Sequence, residues 1–212
     1  MSGTNTIINA SLPVIIEVLE KTSWWRYNLR FGKRILSTKS QRELEIGELY
    51  FANVGKDQGG VININKLIKR QRGVYISGAQ GWIERIIDSG ETDFLFDELK
   101  TRLALCDDAL SFDALLESLM ALQKGIVSLP FVYDELFCLF QLRKNGAKCE
   151  LYLLFSSFAP IIISIESGQI VEAQSPYASL SAALAKALKV KAAVADTKPF
   201  FTASKNILDF KG

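Results

Sequence analysis

Apolar and polar positions alternate with a period of two over most of the first third of the chain. Val14, Ile16 and Val18 form one such series, and Trp25, Tyr27, Leu29 and Phe31 a second, with Arg26, Asn28 and Arg30 between them. Side chains of a strand point alternately to its two faces, so this spacing predicts half-buried strands. Gly32-Lys33 and Glu45-Ile46-Gly47-Glu48 supply turns, and Leu49, Phe51 and Val54, then Val61, Ile62 and Ile64, begin further strands. Short strands at this interval predict a small barrel-like β module over residues 1–72.

Beyond the glycines at 73, 78 and 81 the period changes. Trp82, Ile83, Ile86 and Ile87 recur on one helical face, and Phe94, Leu95, Leu99, Leu103 and Leu105 continue the pattern with acids opposite. Ser111 begins another predicted helix, with Asp113 in its first turn, a stripe of Leu115, Leu116, Leu119, Met120 and Leu122, and a stop at Lys124-Gly125. Residues 73–124 therefore read as a helical middle segment.

From residue 125 the strand period returns. Phe137, Leu139, Gln141 and Arg143 alternate up to Asn145-Gly146, a strong hairpin signal. Glu150 to Phe155 forms the return strand, and Pro160 separates it from the apolar run Ile161 to Ile165. Leu180, Leu184 and Leu188 recur every four residues among alanines, which predicts a helix over 177–189. Val190 to Val194 reads as a closing strand, and a short amphipathic tail follows Pro199. The fold class is α+β: a small N-terminal β-barrel-like module, a helical middle, and a C-terminal mixed sheet with one packed helix over 125–212.

Charge sharpens these boundaries. Residues 1–72 carry twelve Lys/Arg against six Asp/Glu, residues 73–124 four against ten, and residues 125–212 nine against seven. A basic, an acidic and a near-neutral sector suggest separate modules.

Composition narrows the chemistry. The chain has no histidine, which removes Ser-His and Cys-His nucleophile pairs and the commonest general base at neutral pH. Cys106, Cys138 and Cys149 sit among apolar residues at no metal or redox spacing, so they read as buried free thiols. The acids Asp93, Asp97, Glu98, Asp107, Asp108 and Asp113 follow a solvated helix face, and nothing in the sequence selects a catalytic carboxylate pair among the acids. No catalytic residue, metal or cofactor is expected. The glycine-rich run from Lys69 to Gly81 matches neither a P-loop nor a dinucleotide fingerprint. Its arginines and Ser77-Gly78 resemble elements of cyclic-dinucleotide-binding PilZ domains, but no Asp or Asn stands two residues before Ser77. No apolar run approaches the length of a membrane span, and residues 1–10 lack the features of a secretory signal. The expected location is the cytoplasm, with export by a route that cleaves no signal left open.

The order of elements from "LPFVYDELFCLFQLRKNG" through "CELYLLFSSFAPIIISIESGQIVEAQSPYASLSAALAKAL" resembles the C-terminal domain of the flagellar hook-length control family. The matching positions are Leu129–Tyr133, Leu151–Phe155, Ile161–Ile165 and Leu180–Leu188, and "VLEKTSWWRYNLRFGKRILSTKSQRELEIGELYFANV" looks like the β module that often precedes that domain. Ala159-Pro160 stands where the family usually has Leu-Gly, and the long segment that serves the family as a molecular ruler has no counterpart here. The resemblance implies a non-enzymatic protein of flagellar or type III export that binds an export-gate, hook or flagellar chaperone component without measuring length. An export accessory or co-chaperone role is equally compatible.

Candidate partner contacts are Trp24, Trp25, Arg26 and Arg30 in the first module and Phe131 and Tyr133 in the resembling segment. Adjacent tryptophans in a strand would face opposite sides, one toward the core. A second reading uses the basic set Arg26, Arg30, Lys33, Arg34, Lys39, Arg42, Lys66, Lys69, Arg70 and Arg72 with nearby aromatics to bind nucleic acid or nucleotide. The helix from Leu180 to Leu188 has neighbours small enough to pack closely on a sheet or to line a partner groove.

Overall fold

A computed structural model describes residues 12–56, 62–70, 73–155 and 158–203. The first module comprises β1 (Val14–Ser23), β2 (Arg26–Phe31), β3 (Arg34–Lys39), β4 (Leu49–Lys56) and β5 (Ile62–Lys69). They form an antiparallel five-stranded sheet in the order β3-β2-β1-β4-β5. The sheet is open, which corrects the barrel expectation: β3 and β5 are its two edges and do not pair. The connection between β3 and β4 folds over its buried face. Leu44 is buried among Ile16, Val18, Tyr27, Leu29 and Tyr50. The Tyr27 hydroxyl accepts the Leu44 N–H (3.3 Å), and the Tyr50 hydroxyl accepts that of Glu45 (3.1 Å). A loop held by two tyrosine hydroxyls thus buries apolar area that strand closure would otherwise have covered.

The middle segment folds as α1 (Ala79–Ser89), α2 (Phe94–Ala104) and α3 (Ala109–Gln123). In α1, Ala79, Trp82, Ile83 and Ile86 repeat at helical spacing and are buried. The helix stops at Gly90, whose φ of 72° lets its N–H return to the Ile86 carbonyl at 2.8 Å. Arginines fasten α1 to α2: Arg85 stacks on Phe94 (3.8 Å), and Arg102 stacks on Trp82 (4.3 Å) while donating to the Ser77 carbonyl. Helix α3 begins at Ala109, two residues before the expected Ser111. The Asp108 carboxylate caps it by accepting the N–H groups of Leu110 (3.1 Å) and Ser111 (3.0 Å).

The last part contains β6 (Ile126–Tyr133), β7 (Leu136–Asn145), β8 (Lys148–Phe155), β9 (Phe158–Glu166), β10 (Gln169–Ser175), α4 (Ala178–Leu188) and β11 (Lys191–Val194). The strands form a six-stranded sheet in the order β11-β10-β9-β8-β7-β6, antiparallel except for the β10–β11 pair. Helix α4 is the crossover that a parallel pair requires. Pro160 lies inside β9 rather than before it. The ladder slips there, between the Leu153–Ile161 and Phe155–Phe158 pairs, so a residue without an N–H leaves no donor missing from a regular rung.

Two further buried clusters involve the six-stranded sheet. On one side of the six-stranded sheet, Leu129, Phe131, Cys138 and Phe140 share a core with Trp82, Ile83, Ile86, Leu95, Leu99 and Leu115, so the helical segment packs as part of the last domain. A second core joins Phe51 of β4 to Tyr152, Leu154, Ala159, Tyr177 and Leu180, which docks the first sheet against the last. This junction carries a reciprocal polar clasp. The Tyr177 hydroxyl donates to the Lys66 carbonyl (2.6 Å), and Lys66 Nζ donates to the Pro176 carbonyl (2.8 Å). Lys66 has a φ of 49° opposite a register shift in the β4–β5 ladder, the mark of a bulge that re-aims a side chain.

A candidate partner-binding groove

Alternation along three paired strands places Phe131 and Tyr133 of β6, Phe140 of β7, and Leu151, Leu153 and Phe155 of β8 on a single face of the sheet. The register of β9 adds Ile161 opposite Leu153. Helix α1 borders this floor with Gln80, Ile83, Glu84 and Ile87, and α4 borders it with Leu180 and Leu184. The space between is an open groove of about 580 Å³.

Its aromatic end is organised around Phe155. That ring makes edge-to-face contacts with Phe131 (6.3 Å between centroids), Tyr133 (6.2 Å) and Phe158 (6.4 Å). Such contacts fix ring orientations, so the surface is shaped in advance. Three apolar lining residues remain open to solvent: Ile87 at 68% exposure, Tyr133 at 57% and Phe158 at 47%. Contiguous exposed apolar side chains of this kind mark interaction sites in soluble proteins. Polar groups are confined to the rim. There the Gln80 amide donates to the Glu84 carboxylate (3.1 Å), and Asp88 lies one turn further along α1.

The other candidates lie at the tip of the β1–β2 hairpin, which corrects their placement in a strand. β1 ends at Ser23 and β2 starts at Arg26, so Trp24 and Trp25 form the turn. Their rings stack edge to face at 5.9 Å. Trp24 is 80% exposed, and Trp25 is half-buried but belongs to no core cluster. Trp25 adopts a φ of 60°, held by a bond from the Ser40 N–H to its carbonyl (2.7 Å). Arg26 is exposed beside them, whereas Arg30 pairs with Glu17 (2.9 Å). Phe131 and Tyr133 are therefore brought together, as are Trp24, Trp25 and Arg26, but the two sets occupy different modules.

Sequence reasoning offered the Leu180–Leu188 helix as one wall of a groove but missed Ile87, Phe155 and Phe158 as groove residues. The signal for Ile87 was present: Ile86 and Ile87 are adjacent, and a helix packed on one sheet cannot bury both. Among the described residues no three His, Cys, Asp or Glu side chains gather in a way that could hold a metal ion. No described helix is long and apolar enough to cross a membrane. None of the three cysteines forms a disulfide. Cys138 is buried, Cys106 and Cys149 are half-buried, and burial pushes the Cys149 thiol up. No protein-family model, curated protein or solved structure matches this chain.

Proposed function

We propose that the protein is a non-enzymatic, cytoplasmic, protein-binding component of flagellar or related type III export, of the hook-length-control or accessory kind, and that its partner docks in the groove between α1 and α4. The observation that carries this reading is the preformed apolar groove itself, with Ile87, Tyr133 and Phe158 exposed at its mouth. The occupant is an amphipathic segment of a partner protein. Its apolar side chains fill the floor, and a basic residue meets Glu84 and Asp88 on the α1 rim. Among the described residues neither acid has a cationic partner. The positions that carry the family resemblance fall in β6, β8, β9 and α4, which line the groove together with β7 and α1.

The nucleic-acid reading draws less support because much of its basic set is engaged internally. Arg30 pairs with Glu17, Lys69 with Glu45 and Glu48, and Arg42 and Lys66 donate to main-chain carbonyls. Arg72 lies outside the described residues. The test is affinity capture from a nuclease-treated lysate with the wild-type chain and Ile87→Glu as baits. Export-gate, hook or flagellar chaperone proteins retained by the wild type and lost by the variant are the expected result. Equal recovery by both baits, or capture that vanishes with nuclease, refutes the reading.

A further inference from the structure

We infer a second docking surface, separate from the groove: the open edge of β3, ending at the Trp24–Trp25 turn, receives an extended acidic segment of a partner protein as an added strand. The other long edges are occupied. β5 is tied to the last domain through Lys66, Tyr177 and Pro176, and its Leu67 carbonyl accepts from Arg42. The outer side of β6 takes a bond from the Ile76 N–H to the Pro130 carbonyl (2.9 Å). β11 is only four residues long. Among the described residues nothing pairs with the outer side of β3, and its Ile35 is 59% exposed. A strand with free main-chain donors and acceptors is a template for strand addition.

Charge selects the occupant. The ladder places Arg26 directly opposite Lys39, a like-charge pair that costs stability, and neither meets a carboxylate among the described residues. Lys33 and Arg34 stand at the other end of the same hairpin, also without an acid. Elsewhere in this module Lys21, Arg30 and Lys69 each have a glutamate. A second copy is a poor occupant. Pairing two β3 strands would bring together two copies of an edge that carries Arg34 and Lys39 and no acid, which adds to the repulsion. An acidic strand relieves it. Trp24, exposed at the end of that edge on a turn that holds Trp25 in a left-handed conformation, is placed to anchor an apolar residue of the same segment.

The probe is an alternating Glu-Val peptide as long as β3, titrated into the full chain while tryptophan emission and exchange protection of the β3 amides are followed. Its Lys-Val counterpart and oligothymidylate serve as comparisons. Saturable binding of the Glu-Val peptide, protection of β3 amides, and an emission change lost in Trp24→Phe are expected. Lys39→Glu is expected to weaken binding by about tenfold or more. The same variant should raise the melting temperature by giving Arg26 a partner, which separates lost binding from lost folding. Ile87→Glu in the groove should change nothing here, so the two surfaces stand or fall separately. Binding of the Lys-Val peptide or oligothymidylate as tightly as the Glu-Val peptide overturns the inference. So do β3 amides protected by self-association without peptide, and failure of the Glu-Val peptide to saturate at millimolar concentration.

Discussion

Gln141 and Phe201 are locked together across 60 residues of sequence. The Gln141 amide donates to the Phe201 carbonyl (2.8 Å), and its oxygen accepts the Phe201 N–H (3.2 Å). The same side chain also accepts the Phe200 N–H (2.7 Å) and donates to Ser128 Oγ (3.0 Å), at 1% exposure. One buried glutamine thus satisfies three main-chain groups of a strap laid over the sheet on the side away from the groove. Gln141→Leu leaves those groups buried without partners, and a loss of about 2–3 kcal/mol is expected in chemical denaturation. Exchange protection at the Phe200 and Phe201 amides should vanish first.

Tyr177→Phe tests the clasp between the two sheets. It removes the donor to the Lys66 carbonyl while keeping the ring in its core with Phe51. The expected cost is about 1–2 kcal/mol, with increased protease sensitivity around β5. Burial pushes the Tyr177 hydroxyl far above the usual phenol range, so it stays a donor throughout ordinary pH. The effect of the substitution should therefore not change between pH 6 and pH 9, a range chosen about the neutral point.

Gly73→Ala places a Cβ 2.8 Å from the Phe137 ring, closer than carbon atoms settle. The ring must shift, or the connection whose Ile76 N–H bonds the Pro130 carbonyl must lift. A loss of about 1–2 kcal/mol is expected by thermal unfolding. Gly73→Ala combined with Phe137→Leu should recover part of it.

The α3 cap is pH-dependent. Bonds from the Ser111 side chain, and then from its backbone N–H, hold the Asp108 carboxyl below its ordinary value of 3.8. A depressed carboxylate contributes stability that is fully present above the unfolded value and is lost as pH falls through the folded one. Asp108→Ala should lower the melting temperature at neutral pH, and its difference from wild type should shrink in acid below that range. Asp108→Asn keeps the capping acceptor without the titration, so it should restore much of the stability and flatten the acid limb.

The strands and helices were legible because each carries its own period. The residues that depart from the pattern are those whose partners arrive from far along the chain. Gln141 stands in an apolar alternation with Phe137 and Leu139, which already placed it on a buried side. What no local pattern could show is the strap at Phe200 and Phe201 that makes a polar side chain tolerable there. Trp25 was misplaced because it continues the Tyr27, Leu29 and Phe31 alternation back into the turn, where β2 has not yet begun and its φ of 60° leaves the extended range. Leu44 decided the open sheet: a buried residue in a connection leaves no periodic trace. Within the groove, Phe131 and Tyr133 were found, but Ile87 comes from a helix far from them in sequence, and no local pattern shows which sheet face that helix borders.

The groove is tested most directly by a photo-reactive benzoylphenylalanine introduced at Ile87, where 68% exposure leaves room for the probe, with crosslinking in living cells. An adduct containing an export-gate, hook or flagellar chaperone polypeptide, reduced when Phe158→Glu is added at the groove mouth, is the expected result. An adduct that forms equally well with Phe158→Glu, or no adduct at Ile87 while the same probe at Ile35 captures those proteins, would contradict docking in the groove.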